Sequence, residues 1–358
     1  MTHPLLRRAT TVAALVCCLA RALPSDVFES GSEGVPQYRI PALVQTGAGT
    51  LLAFAEARYQ PSTDCGYKFL AVRRSTDGGA TWSTRSVPVA GVSATNSTST
   101  GNPMAVYHAP SGRVVVVFAM QRLPARYCSP SDGVFVVDDG GSDGMQWSTP
   151  RNITSSLGQI AGHTVPGPGA GLVTATGRIV MSGTDGIYGN DTAFYSDDAG
   201  ATWTPSTTAF PHMDESALVE LSDGRVLINM RNAHANASCD CRAIATSSDG
   251  GATFTTPVQY DPTLIEPVCQ GSLMRVGSKV YFANPADRSA RANITVRVGT
   301  GLPGGWTGAL RVNGSAWGGY TSLAGPLARG APPQTGGILY EHDDAAPRIT
   351  FAQFPLDF

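Results

Sequence analysis

The chain contains the octapeptide Ser75-Thr-Asp-Gly-Gly-Ala-Thr-Trp82 and repeats it, with small changes, as Ser196-Asp-Asp-Ala-Gly-Ala-Thr-Trp203 and Ser247-Ser-Asp-Gly-Gly-Ala-Thr-Phe254. Each copy fits S-x-D-x-G-x-T-[W/F] and predicts a turn between two strands. The aspartate can accept hydrogen bonds from turn amides, the glycine can adopt positive φ, and the aromatic ring can plug the core beneath. Three matches of this length indicate an internal repeat.

Apolar hairpins with glycine-containing turns separate these boxes, beginning with Tyr38–Val44 and Leu51–Arg58. A degenerate fourth copy runs from Asp138 to Trp147. Four short strands in a unit of about 50–60 residues are typical of a β-propeller blade. Counting the hairpins predicts an all-β, six-bladed β-propeller in which the first and last segments together complete one blade. We expect residues 23–358 to form this single domain.

Composition agrees with a turn-rich β protein. The 358 residues include 41 glycines and 25 prolines, which indicates many turns and little helix. The net charge of −2 gives no indication of a nucleic-acid partner. Cys239-x-Cys241 lies near His234, but no second ligand pair has zinc spacing. The sequence therefore predicts no metal and no cofactor.

The N-terminus is typical of a secretory signal. Arg7 and Arg8 precede an apolar run that ends at the A-x-A site Ala20-Arg21-Ala22, which predicts a signal peptide over 1–22. An uncleaved anchor is the alternative, and no other stretch is long enough for a membrane span. We expect the protein to be secreted or lysosomal. Protein partners are not indicated.

Six sequons fit luminal exposure. They begin at Asn96, Asn152, Asn190, Asn236, Asn293 and Asn313. Two of the seven cysteines lie within the predicted signal, and the other five are an odd set. At least one thiol is therefore expected to be free or paired between chains.

Three arginines occupy equivalent strand ends in their hairpins. Arg39 precedes Ile40-Pro41, Arg231 ends the apolar run from Leu227, and Arg291 precedes a later strand. A single arginine at a strand end is usually a surface ion-pair partner. Three at equivalent blade edges suggest convergence on one planar anion, because guanidinium forks match a carboxylate.

Tyr38-Arg-Ile-Pro41, followed by the three boxes in order and by late Arg and Tyr motifs, resembles the exo-α-sialidases (neuraminidases) over essentially the whole mature chain. The similarity is strongest to the animal lysosomal and cytosolic branch. It implies a six-bladed propeller that removes terminal sialic acid. The three arginines would bind the substrate carboxylate, with Arg288 as a rival to Arg291 for the third place.

The same resemblance implies roles for other residues. Asp64 matches the acid/base, Tyr320 the nucleophile and Glu215 its partner base. Glu341 matches a carboxylate that orients the first arginine, and Arg58 a further arginine beside the substrate. Asn102 matches a substrate contact. The box residues Asp77, Asp198 and Asp249 are expected to be structural, because a motif repeated around a ring performs one structural role several times.

We therefore expect a retaining sialidase that acts on glycoproteins, glycolipids or oligosaccharides through a tyrosyl-enzyme intermediate, with a sialylated glycan as its partner. A trans-sialidase or a hydrolase of a related 2-keto sugar would use the same residues. A non-catalytic glycan-binding propeller is the third alternative. It would need no nucleophile–base pair.

Overall fold

A computed structural model describes residues 23–60, 63–64, 66–89, 98–122, 133–162, 165–184, 189–233, 239–315 and 317–358. Two 3-10 helices span Ser32–Gly34 and Thr154–Gly162. The strands are β1 (Ser25–Glu29), β2 (Gln37–Gln45), β3 (Leu51–Arg58), β4 (Lys68–Ser75), β5 (Thr98–His108), β6 (Arg113–Arg122), β7 (Gly133–Asp138), β8 (Arg151–Asn152), β9 (Val165–Pro166), β10 (Gly169–Ala170), β11 (Leu172–Val173), β12 (Ile179–Thr184), β13 (Asn190–Ser196), β14 (Thr204–Pro211), β15 (Asp214–Glu220), β16 (Val226–Arg231), β17 (Cys241–Ser247), β18 (Gln259–Ile265), β19 (Ser272–Val276), β20 (Lys279–Pro285), β21 (Ile294–Gly299), β22 (Trp306–Asn313), β23 (Gly318–Ala324), β24 (Thr335–His342) and β25 (Arg348–Pro355).

These strands form six antiparallel sheets arranged as the blades of a propeller. Blade 1 contains β2–β4, blade 2 β5–β8, blade 3 β11–β14, blade 4 β15–β18 and blade 5 β19–β22. Blade 6 combines β23–β25 with β1, which pairs with β25 and closes the ring. The inner edge of blade 3 is interrupted. Short β9 and β11 both pair with β12, whereas β10, which lies between them in the chain, pairs in parallel with β5 of blade 2. The predicted six-bladed propeller, with a shared first and last blade, is confirmed.

The core lies between neighbouring blades. One cluster joins Met104 of blade 2, Phe194 of blade 3 and Ile228 of blade 4, all fully buried. Another joins Leu51 of blade 1 to Phe351 of blade 6. Burying such a side chain contributes about 1.5–3 kcal/mol. Because these side chains lie between sheets, each blade is stabilised by packing against its neighbours.

Strand direction separates the two ends of the propeller. In blade 1, Gln37 at the start of β2 pairs with Arg58 at the end of β3, which in turn pairs with Lys68 at the start of β4. Ser75, where the first box begins, pairs with Leu51 at the other end of the blade. The boxes therefore lie on the face opposite the starts of the innermost strands, where Arg39 lies.

The three boxes share one hydrogen-bond pattern. In the second, Asp198 accepts from the Thr202 amide at 2.7 Å and from the Thr202 hydroxyl at 2.6 Å, while Ser196 Oγ accepts from the Gly200 amide at 2.8 Å. Asp77 and Asp249 repeat these contacts. Each aspartate thus satisfies turn donors. The degenerate copy differs, because Asp139 rather than Asp138 accepts from two turn amides there.

Cys239 and Cys241 form a disulfide, and Cys269 is a buried free thiol. The signal peptide, Cys65, Cys128, His234, Asn96 and Asn236 lie outside the described residues. Within the part of the chain that is described, no helix is long and apolar enough to span a membrane.

Candidate active site

Bulges at the starts of four innermost strands shape one end of the propeller axis. The register shifts between Arg39 and Ala42, between Gly101 and Met104, between Asp214 and Ser216, and between Gly318 and Thr321. An extra residue at such a shift changes where the adjacent side chains point. The shifts in β2, β15 and β23 contain or adjoin Arg39, Glu215 and Tyr320, which the sequence had singled out.

The phenol of Tyr320 and the carboxylate of Glu215 form the centre of this end. Tyr320 Oη donates a hydrogen bond to Glu215 Oε1. Arg231 Nη1 donates to Glu215 Oε2 at 2.7 Å and lies 3.5 Å from Tyr320 Oη and 3.4 Å from Asp214. A tyrosine bonded to a buried carboxylate has a base in place to accept its proton.

Three guanidinium groups surround Tyr320. Those of Arg39 and Arg291 lie 5.5 and 5.6 Å from its ring centroid, and Arg231 reaches its hydroxyl. Among the described residues, no ion pair or hydrogen bond reaches the terminal nitrogens of Arg39 or the guanidinium of Arg291, and buried Arg231 Nε has no partner. The guanidinium groups of Arg39 and Arg291 both lie beside the Tyr320 ring, and cations with unpaired donors gathered at one place are the arrangement expected for an anion site.

Glu341 fixes the first arginine and the tyrosine together. Its side chain is fully buried, and Oε1 accepts from Arg39 Nε and from the Ile40 amide, each at 2.7 Å. Oε2 accepts from the Tyr320 amide at 2.9 Å. Because Nε of Arg39 is occupied in this way, its terminal nitrogens are left for a ligand.

Asp64 lies at the rim beside a second buried carboxylate. Its side chain is 73% exposed, and Oδ1 accepts from Arg58 Nη1 at 2.6 Å. Fully buried Glu56 accepts from Arg58 Nε at 2.7 Å, and Lys68 Nζ lies 3.4 Å from Glu56. Asn102 belongs to this group, since its main-chain amide donates to Glu56 at 2.8 Å. No described contact joins Asn102 to Tyr320.

The two candidates for the third arginine occupy different places. Arg291 lies beside Tyr320, and its carbonyl accepts from the Gly318 amide at 2.6 Å. Arg288 is about half exposed, and it donates to the Cys239 carbonyl and approaches Asp240. The geometry therefore favours Arg291.

Burial and neighbouring charges shift the pKa values of this group. Burial raises the pKa of Glu215, although the charge of Arg231 opposes the change. Burial, reinforced by the charge of Glu215, raises the pKa of Tyr320 well above its ordinary value. Burial alone would raise the pKa of Asp64, but Arg58, Lys68 and Arg39 together lower it. The lowered pKa of Asp64 favours its ionised form and the raised pKa of Glu215 favours its neutral form, and perturbed carboxyl groups of this kind are typical of functional sites.

The described residues include no group of three or more His, Cys, Asp or Glu side chains that could hold a metal.

The family model described as a BNR repeat-like domain matches residues 49–319. The chain belongs to this family. Among its BNR repeat relatives, a sialidase of Bacteroides fragilis (strain YCH46) is 29% identical over 363 residues, which cover 92% of this chain and 64% of that protein. A sialidase of Micromonospora viridifaciens is 32% identical over 301 residues, covering 76% of this chain and 46% of that protein.

Among solved structures, Hadza microbial sialidase Hz136 matches with a TM-score of 0.80 at 25% identity, covering 93% of this chain and 68% of that one. The resemblance to sialidases that the motifs predicted is therefore confirmed for this BNR repeat protein. The chain spans about two thirds or less of the length of the curated relatives named above.

Sequence reasoning missed three residues of this candidate active site. They are Glu56, Lys68 and Trp317, whose ring centroid lies 5.7 Å from the Arg39 guanidinium. Glu56 left a signal, because it is the one acidic residue in β3, whose other residues up to Arg58 are apolar. Trp317 directly precedes the two glycines before Tyr320, and a side chain at Gly319 would meet both Trp317 and Glu341.

Proposed function

We propose that this chain is a retaining exo-α-sialidase that releases terminal sialic acid from glycoproteins, glycolipids or oligosaccharides. One observation carries the proposal: Tyr320 is hydrogen-bonded to buried Glu215 within a ring of three arginines that have unused donors. A lectin for the same anion would need the arginines but no nucleophile–base pair.

The arginines would bind the carboxylate that sialic acid carries on its anomeric carbon. Arg39 offers its two terminal nitrogens and Arg291 its guanidinium, and Arg231, whose Nη1 lies beside the Tyr320 hydroxyl, adds a third positive charge. Charge-assisted hydrogen bonds of this kind contribute about 1.5–3 kcal/mol each. Binding the carboxylate at these fixed groups would hold the anomeric carbon near Tyr320.

The first step forms the tyrosyl intermediate. Tyr320 Oη attacks the anomeric carbon, its proton passes to Glu215, and the bond to the leaving oxygen breaks as Asp64 protonates that oxygen. A phenol suits this carbon better than a carboxylate nucleophile, because the substrate carboxylate would repel a second anion. Sialidases with a tyrosine nucleophile are a known exception to the two-carboxylate scheme of glycosidases.

The second step restores the enzyme. Asp64, now ionised, accepts a proton from a water molecule whose oxygen bonds to the anomeric carbon. The bond to Tyr320 breaks, and Glu215 returns the proton to the phenolic oxygen. Two displacements at one carbon give overall retention.

The test is release of free sialic acid from a fluorogenic α-sialoside. Tyr320→Phe should lower kcat by about 10⁴-fold or more, because removing a nucleophile abolishes the covalent route. Arg39→Ala should act mainly through KM. A 3-fluorinated sialyl fluoride should leave a covalent mass increment on the peptide containing Tyr320. A folded protein that binds sialic acid without turnover would favour the glycan-binding alternative.

Product analysis with lactose as acceptor separates hydrolysis from transfer. Free sialic acid as the main product supports the hydrolase, and a dominant sialyllactose product overturns it.

We also propose that the enzyme acts in the secretory or lysosomal lumen, as the signal-like N-terminus and the sequons suggest. Secretion from expressing cells, with removal of residues 1–22 verified by N-terminal sequencing, tests this.

A further inference from the structure

Asp64, the proposed acid/base, is exposed at the rim of the site and is held there by contacts with buried cations. Its side chain is 73% exposed, so solvent competes for every contact it makes. Two buried cations of blade 1, Arg58 and Lys68, contact it. Arg58 Nη1 binds its carboxylate at 2.6 Å, and Lys68 Nζ donates to its main-chain carbonyl at 2.6 Å. The first contact orients the carboxylate and the second fixes the backbone that carries it.

Lys68 lies in a place built for an ammonium group. Its side chain is only 9% exposed, and Nζ lies between the Asp64 carbonyl and Glu56 Oε1. Burial lowers the pKa of Lys68, and the charge of Glu56 opposes that shift. Gly101 makes room for this ion pair, since a Cβ at that position would meet Glu56 Oε1 and would come within 2.5 Å of Lys68 Cε.

The choice of lysine here departs from the rest of the chain. Of the 25 basic residues, only Lys68 and Lys279 are lysines. An ammonium is a compact charge on a flexible stem and can end on a single carbonyl, whereas a guanidinium is a wider planar fork. Arg58 already supplies the fork to the same loop.

We infer that Lys68 is a positioning residue that holds Asp64 at the glycosidic oxygen through the Asp64 main-chain carbonyl. The inference rests on the proposed function. Without this contact, proton transfer to the leaving oxygen is impaired, while carboxylate binding by the arginines and attack by Tyr320 remain. Proton transfer by a positioned side chain contributes about 10²–10⁴-fold to a rate, so misplacing it has a measurable cost.

The leaving group makes this role visible. A sugar alcohol is a poor leaving group and needs the proton from Asp64, whereas an aryl oxygen leaves as a stable anion without it. We therefore expect Lys68→Met to lower kcat/KM on 3′-sialyllactose by about 10–100-fold and on 4-nitrophenyl α-sialoside by less than about 3-fold. The ratio kcat/KM is used because it reports the steps through cleavage of the first bond.

Controls separate the possible outcomes. Lys279→Met removes the other lysine, which is exposed at the start of β20 next to a hairpin turn, and should leave both substrates at wild-type rates. Lys68→Arg should recover part of the lost sialyllactose activity. If Lys68→Met does not fold, Lys68→Gln replaces it, because it removes the ammonium group but keeps a polar side chain at the same position.

An equal loss on both substrates, or no loss on either, overturns the inference while wild-type turnover keeps the proposed function. A wild-type protein without turnover on either substrate overturns the proposed function itself. A selective loss on sialyllactose supports both.

Discussion

Tyr320 of blade 6 donates a hydrogen bond to Glu215 of blade 4, a residue 105 positions earlier in the chain. Arg231, on the strand that pairs with the Glu215 strand, contacts both groups. The pair therefore exists only when the ring is assembled. Within their own blades, Glu215 accepts from Arg231 and the Tyr320 main-chain amide donates to Glu341, whereas the contact between phenol and Glu215 crosses from blade 6 to blade 4.

Glu215→Gln should lower kcat/KM by about 10²–10⁴-fold, because an amide cannot accept the phenolic proton. The loss should be similar on alkyl and aryl α-sialosides, since both need the tyrosine activated. Steady-state kinetics on the two substrates provide the measurement. Asp214→Asn, which loses only a 3.4 Å contact to Arg231, is the matched control and should cost less than about 10-fold. A larger loss in the control would assign the base role to Asp214.

Arg291→Ala should raise KM by about 10–150-fold, which corresponds to one charged hydrogen bond to the substrate carboxylate. The dissociation constant of a dehydrated sialic acid analogue, measured by titration calorimetry, should rise by a similar factor. Arg288→Ala is the control, because that side chain binds the Cys239 carbonyl away from Tyr320. The reverse result, a weak effect at Arg291 and a strong one at Arg288, would contradict our choice of third arginine.

The pH dependence of kcat/KM should be a bell with its maximum at acidic pH. Catalysis needs Asp64 protonated and Glu215 ionised, whereas the pKa of Asp64 is lowered and that of Glu215 is raised. Below both pKa values Glu215 is neutral and no base is present, and above both Asp64 is ionised and no acid is present. The maximum therefore lies between them.

An aryl α-sialoside supplies the control for this profile. Its leaving group needs no proton, so the alkaline limb should flatten while the acid limb remains. A maximum above neutral pH on sialyllactose would show that Asp64 is not the acid.

Asp191→Asn should raise the thermal midpoint at pH 7 by about 2–4 °C. Burial, assisted by the charge of Asp214, raises the pKa of Asp191 well above its ordinary value. The folded state therefore keeps a proton that the unfolded state releases, and stability falls as pH rises from the ordinary pKa toward the raised one. The gain should disappear below the ordinary aspartate pKa, as differential scanning fluorimetry across pH can test.

Asp198→Asn is the opposite case. Burial alone would raise the pKa of this box aspartate, but its hydrogen bonds with Thr202 and Ser196 lower it overall. It therefore stabilises the fold above the ordinary aspartate pKa and loses that effect as pH falls through the lowered value. The variant should melt lower than wild type at pH 7 and match it more closely in acid. Shifts of the same sign in both variants would refute this account.

The fold could be predicted because its signals are local. A box such as Ser75–Trp82 encodes one turn with its own donors and acceptors, and alternating apolar runs encode the strands. The repetition of this unit along the chain then indicated a ring of similar blades. Positions far apart in sequence, such as Arg39, Arg231 and Arg291, were found from their places next to strand ends together with the family resemblance. Arg39 lies near the start of β2, Arg231 ends β16 and Arg291 precedes β21.

Two of the three residues that sequence reasoning missed, Glu56 and Trp317, make contacts between blades. Glu56 of blade 1 accepts the amide of Asn102 in blade 2, and Lys68 reaches back across its own loop to Asp64. Trp317 contacts Arg39 of the next blade in the ring. Such partners depend on how neighbouring sheets are rotated and on register shifts, and a one-residue bulge leaves no clear mark in a hydrophobic pattern.

The pairing of β1 with β25 gives the propeller a seam. Phe28 pairs with Ile349, about 320 residues later, so β1, one of the four strands of its blade, is translated long before the other three. Until then β25 has an open edge, which is where a nascent or partly unfolded chain can pair with a second copy. A covalent crosslink across this seam should slow thermal inactivation more than one placed within any other blade.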